Sequence, residues 1–214
     1  MKKIVLFGSG GLGRETANMI EVINSIKPTY DLLGFLTEKS FYKDNIVING
    51  YPLLGSEEWI LNHLDVYCVC TIADSKIKSR IQENLMKQGV EFETLIAPYT
   101  WIPKSTRIGK GCIIFGHSLI SVNCNIEDGV FLNSYVSIGH DVHIGKYTSV
   151  MPGTGISGCC LIGENVSIGG HAFIVPNKKV GDGAVVAAGS VVFTNVKKYT
   201  TVLGNPAMRM RSIE

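Results

Sequence analysis

From Ile96 to Val192 every sixth residue is Ile, Leu or Val, seventeen positions in unbroken register. Four residues after each of them, from Thr100 to Ser190, stands a small residue (Thr, Cys, Ser, Val or Ala), with Lys178 the one exception. A period of six fits neither the 3.6-residue turn of an amphipathic helix nor the two-residue alternation of a strand. It fits a parallel β-helix, in which each six-residue unit forms one side of a triangular prism and three units make a coil. The branched residue points inward and stacks on its counterpart one coil away, while the small residue fits the narrow corner. The sixteen units predict about five coils, a rod on the order of 25 Å long at roughly 4.8 Å per coil. Side chains fill such a rod, so its chemistry has to sit on a face or an edge.

The remainder of the chain is long enough for a second unit. At 214 residues and 45% hydrophobic content two domains are expected, 1–92 before the repeat and 93–214 containing it. A net charge of +2 with both signs interspersed gives no nucleic-acid footprint, and no apolar run reaches the 18 or more residues of a membrane span. The opening Met1-Lys2-Lys3-Ile4-Val5-Leu6-Phe7 is basic then apolar but is interrupted at Gly8, too early for a secretory h-region, so a cytoplasmic protein is expected. Of the six cysteines, Cys112, Cys124 and Cys160 fall at the small inward position, where a thiol behaves as a small hydrophobe. Cys68 and Cys70 lie in an apolar strand-like run, and no CxxC pair suggests zinc.

The N-terminal part follows a different rule. Lys3 to Phe7 reads as a strand, Gly8-Ser9-Gly10-Gly11-Leu12-Gly13 as a turn, and the stretch with Ala17, Ile20 and Ile23 as a helix. Glycines at 8, 10 and 13 match GxGxxG in the context where that weak pattern gains value, because a helix N-terminus after a tight turn offers N–H groups to a phosphate. The alternative is that these glycines only permit close packing of strand and helix. A second strand, Asp31 to Leu36, ends at Thr37-Glu38, where nucleotide folds present an acid to a ribose hydroxyl. A third run, Val66 to Ile72, precedes a helix with Ile77, Ile81 and Leu85 on one face. Together these predict a small Rossmann-like three-layer α/β domain.

Within the repeat, His117 and His171 fall at the third offset of their units, His140 at the second and His143 at the fifth. None is at an inward phase. His140 is followed by Asp141 with Asn133 nearby along the winding chain, and an imidazole beside a carboxylate is a general-base candidate.

The hexapeptide register, the segment Ser137-Ile138-Gly139-His140-Asp141-Val142-His143-Ile144-Gly145 and the tail Val202-Leu203-Gly204-Asn205-Pro206-Ala207 resemble the left-handed β-helix acyltransferases. The added glycine-turn domain narrows the likeness to the sialic acid O-acetyltransferases and nucleotide-linked amino-sugar N-acetyltransferases of NeuD and PglD type. The resemblance covers nearly the whole chain and is the only source of the left hand. It implies a homotrimer with acetyl-CoA in the groove between two β-helices and the nucleotide of the sugar substrate on the N-terminal domain, at Gly8, Gly10, Gly11, Gly13, Thr37 and Glu38. Residue by residue, it places the histidine base on His140 and its orienting acid on Asp141, a shorter carboxylate than the Glu common there. It puts Asn133 against the acceptor sugar, the Gly158 N–H on the thioester carbonyl, and Gly170, Ala188, Asn205 and Pro206 along the CoA. Leu12 stands where amino-sugar enzymes often have His, and Thr37-Glu38 where they often have two acids.

The mechanism expected from these residues is direct transfer, with His140 taking the proton of a sugar amine as nitrogen adds to the thioester. Base catalysis of this kind is worth roughly 10²–10⁴-fold, and a well-aimed backbone donor at the oxyanion about 3 kcal/mol. A hydroxyl acceptor would use the same base, so O-acetylation of sialic acid or another sugar stands as the alternative, and a non-catalytic sugar-nucleotide sensor as a third reading. A covalent path through Cys159 or Cys160 lacks a neighbour in sequence to activate the thiol. A β-helix carbonic anhydrase would need stacked histidines; here only His117 and His171 are whole coils apart, three coils, so no zinc site is expected. A dinucleotide enzyme would need a larger second half than some ninety residues supply. Lys178, Lys179, Lys197, Lys198, Arg209 and Arg211 are the cations available to the CoA phosphates.

Overall fold

The computed structural model describes residues 1–210. The glycine-turn region forms strand β1 (Lys2–Phe7), helix α1 (Gly11–Ile26), β2 (Tyr30–Leu36), the two short strands β3 (Val47–Ile48) and β4 (Tyr51–Gly55), α2 (Glu57–Leu61), β5 (Tyr67–Cys70) and α3 (Ser75–Lys87). The sheet order is β3-β4-β2-β1-β5, parallel except for the β3–β4 pair, which the sequence reading had not resolved. Alternation along β1 sends Ile4 and Leu6 toward α1 and Val5 and Phe7 toward α2 and α3. Helices therefore cover both faces of a buried parallel sheet, the arrangement such sheets require.

From Leu95 onward the chain winds as a left-handed parallel β-helix. Each strand pairs with the strand eighteen residues on, as in Ile126 with Ile144 and Ile144 with Ile162, so like residues stack in columns. Three sheets result. The first face carries Ile114, Leu132, Val150, Ile168 and Val186, the second Ile120, Ile138, Ile156, Ile174 and Val192, and the third Ile126, Ile144, Ile162 and Val180; all are buried. Each such side chain removed from water stabilises by about 1.5–3 kcal/mol before entropy is counted. The first edge joins the first and second faces, and the second edge joins the second and third.

The small residues at the fourth offset do more than fit. Thr148 Oγ1 donates to the Gly163 carbonyl at 2.8 Å and accepts from the Val166 N–H at 3.1 Å, and Thr106, Ser118 and Thr154 make the same donation one coil on. Hydroxyls at this phase satisfy corner backbone that the coil itself leaves open. At the third offset the backbone turns left-handed, with Asn123, Asp141, Cys159 and Asn177 at positive φ or at the turn along the second edge. Lys178, the irregular inward residue, is half-buried.

The first face is covered by the N-terminal region. Ile113 and Phe131 pack into the α1 cluster with Ala17, Met19 and Ile20. Helix α3 lies along the prism with a polar stripe against it. Gln82 Nε2 reaches the Gly111 carbonyl at 3.4 Å, Lys78 Nζ donates to Ser149 Oγ at 2.8 Å, and Ser75 Oγ donates to the Asn165 carbonyl at 3.0 Å. Three to four residues of helix rise by about 5 Å, close to one coil spacing, so each rung meets a new coil. Of the apolar face expected on this helix, Ile81 and Leu85 are buried and Ile77 is 39% exposed, while the stripe that meets the prism is Ser75, Lys78 and Gln82.

Candidate active site

On the second edge, Ile138 is anchored in the core and the chain turns immediately after it, which holds His140 and Asp141 outward at the corner. His140 Nδ1 lies 2.7 Å from Asp141 Oδ2. A carboxylate only accepts, so this contact assigns the proton to Nδ1 and leaves the lone pair on Nε2. The second carboxylate oxygen, Asp141 Oδ1, accepts from Asn123 Nδ2 at 3.2 Å. The hydrogen bond from His140, then that from Asn123, hold the Asp141 carboxyl below its ordinary value. Asn123 was not singled out in the sequence, although it occupies the same corner position one coil before Asp141.

Gly158 sits one coil beyond His140 on the same edge. A Cβ built there would lie 2.7 Å from His140 Nε2 and 2.8 Å from Cε1. The imidazole therefore rests over the Gly158 backbone in space that any side chain would take. The candidate base, its carboxylate partner and a candidate backbone donor come together within one chain.

Other candidates lie on the first edge. Asn133 lines a cleft of about 880 Å³ between that edge and α1, together with Gly11, Arg14, Tyr99 and His117. Its wall includes the His117 ring, which stacks on Tyr135 with centroids 5.1 Å apart. Gly170 and Ala188 follow Ile168 and Val186 and so fall on this first edge, not beside Gly158. The Gly204-Asn205-Pro206 turn docks at its end, through Gly204 N–H to Ser190 Oγ at 3.2 Å and Ala207 N–H to the Val191 carbonyl at 2.8 Å.

In the glycine turn, a Cβ on Gly13 would lie 2.1 Å from the Gly8 carbonyl oxygen and one on Gly8 2.8 Å from that of Thr71, so these two serve close packing. Around Gly10 and Gly11 there is open space. The N-terminus of α1 has no side-chain cap and no acid in its first turn, which leaves its N–H groups and dipole directed at that space. Both readings of the motif thus apply, to different glycines. Thr37 donates its N–H to Gly55 at 3.1 Å, and the Glu38 carboxylate accepts from Arg80 at 2.7 Å.

Of the remaining histidines, His143 contacts Asn125 at 3.1 Å and Glu127 at 3.6 Å on the third face. His171 stacks over Gly153 on the first edge. Lys198 is paired with Asp182, and Lys197 and Arg209 line a small cleft of about 230 Å³ at the end of the prism. Arg211 lies outside the described residues. Cys68, Cys70, Cys112, Cys124 and Cys160 are buried and Cys159 is exposed.

Comparison with known proteins gives concordant results for both halves. Residues 3–85 match the PglD N-terminal domain and residues 123–158 the bacterial transferase hexapeptide (six repeats). The chain is 32% identical over 218 residues to the GDP-perosamine N-acetyltransferase of Escherichia coli O157:H7, covering 96% of this chain and 95% of that one. Among solved structures, the acetyltransferase domain of PglB from Neisseria gonorrhoeae FA1090 in complex with acetyl coenzyme A superposes with a TM-score of 0.86 at 26% identity, over 98% of this chain and 99% of that one. PerB from Caulobacter crescentus, solved with CoA and GDP-perosamine, shares the fold with a TM-score of 0.86 at 20% identity, over 99% and 98% of the two chains.

Proposed function

The chain belongs to the NeuD/PglD-type hexapeptide-repeat acetyltransferases, and from that membership we propose that it moves the acetyl group of acetyl-CoA to the amine of a nucleotide-linked sugar. The observation that carries the reading is the second edge, where His140 is held by Asp141 at 2.7 Å with Nε2 over Gly158. Nε2 takes the amine proton as nitrogen adds to the thioester carbonyl. The Asp141 carboxylate fixes the tautomer and stabilises the imidazolium that forms. The Gly158 N–H receives the carbonyl oxygen as it becomes negative. Collapse of the tetrahedral intermediate expels CoA thiolate, and the imidazolium is the nearby acid that returns its proton.

The first edge supplies the other half. The open N-terminus of α1 takes the diphosphate of the sugar nucleotide, with Gly10 and Gly11 allowing close approach and Asn133 meeting the sugar. Glu38, tied to Arg80, is available to a ribose only through its remaining oxygen. Because the base lies on the second edge and the acceptor cleft with Gly170, Ala188 and Asn205-Pro206 on the first, a complete site forms where the first edge of one copy meets the second edge of another. A closed three-fold ring satisfies that pairing for every copy. The relative's reaction, N-acetylation of GDP-perosamine, favours nitrogen over oxygen as acceptor, and we extend the proposal to a role in surface-glycan synthesis on the strength of that substrate class. Unpaired thiols and the lack, among the described residues, of a helix long and apolar enough to cross a membrane support a cytoplasmic site of action.

The test is thiol release from acetyl-CoA against GDP-, UDP- and dTDP-linked 4-amino sugars and free sialic acid. Release with one amino-sugar nucleotide, reduced roughly 10²-fold or more in His140→Ala, is the expected result. Release with sialic acid alone moves the reading to O-acetylation, and full activity in the variant removes His140 as base.

A further inference from the structure

Cys159 stands one coil beyond Asp141 at the same corner of the second edge, with a left-handed backbone at φ 59° that turns its side chain outward. It is the exposed thiol among six, and the direct-transfer reaction gives it no task. Donor atoms of His140, Asp141 and Cys159 all lie within 4.8 Å of one another. Among the described residues no other group of three His, Cys, Asp or Glu side chains comes together in this way. We infer that these three side chains form a binding site for a soft divalent cation of the zinc class, whose occupancy switches off acetyl transfer.

The donor set is one sulfur, one imidazole nitrogen and one carboxylate oxygen, which suits Zn²⁺, Cd²⁺ or Co²⁺ and not Mg²⁺ or Ca²⁺. Zinc takes such atoms at about 2.0–2.3 Å in a tetrahedron, so the donors have to close by about an ångström. All three side chains are exposed and can rotate that far without moving the coil. One neutral imidazole and two anions neutralise the ion, and binding displaces the thiol proton to solvent. The sequence could not show this set, because the two parts lie eighteen residues apart and only the coil joins them; a search restricted to histidines passes over it.

Metal on the imidazole would hold His140 away from any amine. The binding stands on geometry alone, whereas its inhibitory effect rests on the reading of His140 as base, and the experiment separates them. Iodoacetamide labels Cys159 in the native protein, and Zn²⁺ is expected to protect it. Protection should need roughly tenfold or more additional Zn²⁺ in His140→Ala. Co²⁺ should give a thiolate-to-metal charge-transfer absorption that is missing in Cys159→Ala. Cys159→Ala should keep the metal-free rate while its Zn²⁺ inhibition midpoint rises by roughly tenfold or more. Equal protection in wild type and His140→Ala, or no charge-transfer band, overturns the site. A band and protection with unchanged catalysis in saturating Zn²⁺ overturns the switch and counts against His140 as base.

Discussion

The first and second edges of the prism are built from the same six-residue unit, yet they differ in what they present. The second edge is bare of the N-terminal region and carries a bonded row of polar side chains, Asn123 to Asp141 one coil on and Asp141 to His140 beside it. The first edge carries stacked rings, His117 on Tyr135, and faces α1 across the cleft that Asn133 lines. A solenoid lends one scaffold to both because its interior fixes backbone position and leaves the outward offsets free. Neither edge holds the proposed base and the proposed acceptor cleft together, which is why the proposed site needs two copies.

That division makes the largest predicted effect a rescue. His140→Ala and Asn133→Ala each disable one edge, and each alone is expected to lose roughly 10²-fold or more. Mixed oligomers from equal co-expression combine an intact second edge of one chain with an intact first edge of another at about one site in four, by random pairing. Recovery of about a quarter of wild-type activity is expected. No recovery in purified mixed oligomers would place both residues in one site of one chain and undo the comparison.

Within the second edge, Gly158→Ala should cost about 10²-fold in kcat, since a displacement on the order of 1 Å is worth that much. The added Cβ would lie 2.7 Å from Nε2, so the ring has to move. The matched change on the first edge, Gly116→Ala, meets only the Ala97 Cβ at 3.7 Å, an ordinary contact, and its kcat should stay within a few-fold. Thermal midpoints check that both variants are folded.

The placement of the first-edge cleft depends on how α3 docks, and there Lys78 is fully buried without a carboxylate partner. Burial lowers its pKa to about 8, while the nearby Cys70 and Cys112 thiols are raised, also by burial, to about 12. A lysine whose folded pKa is depressed is a penalty on folding that is full below about pH 8 and fades as pH rises toward its unfolded value near 10.4. The thiols, and Tyr30 and Tyr147, whose pKa values burial raises to about 12, act in the opposite direction above about pH 9, so the comparison has to be a difference. Wild type relative to Lys78→Met should gain about 2 kcal/mol between pH 7 and pH 10, measured by urea unfolding. At pH 7 Lys78→Met should be the more stable of the two when Ser149→Ala is added to remove the hydroxyl left without its partner.

How much of this could be read in the sequence depended on whether a period governed the residue. The inward positions were legible because each obeys the same six-residue rule, and the glycine turn because strand, turn and helix are contiguous. The α3 stripe was not, since Ser75, Lys78 and Gln82 have the composition of a solvated face and only the prism beside them makes them buried. The strands at 47–48 and 51–55 were too short to carry an alternation. Edge assignment was available from arithmetic: Gly158 and Gly170 differ by twelve residues, two units and not a whole coil, so they cannot share an edge.

The same arithmetic gives the smallest effect. Subtracting one coil from Asp141 arrives at Asn123, whose amide donates to the oxygen that His140 does not use, at 3.2 Å. Both groups are exposed, so water competes for the carboxylate, and the bond acts by limiting rotation of Asp141 more than by adding energy. Asn123→Ala should lower kcat only a few-fold, within the roughly 1 kcal/mol of a typical net hydrogen bond, and leave KM for acetyl-CoA unchanged. Asp141→Asn keeps the shape but removes the charge that fixes the imidazole tautomer, and should cost far more. If the two variants lose equal activity, the second edge works through the bonded row as a unit; a large gap between them assigns the work to the His140–Asp141 pair, with Asn123 restraining it.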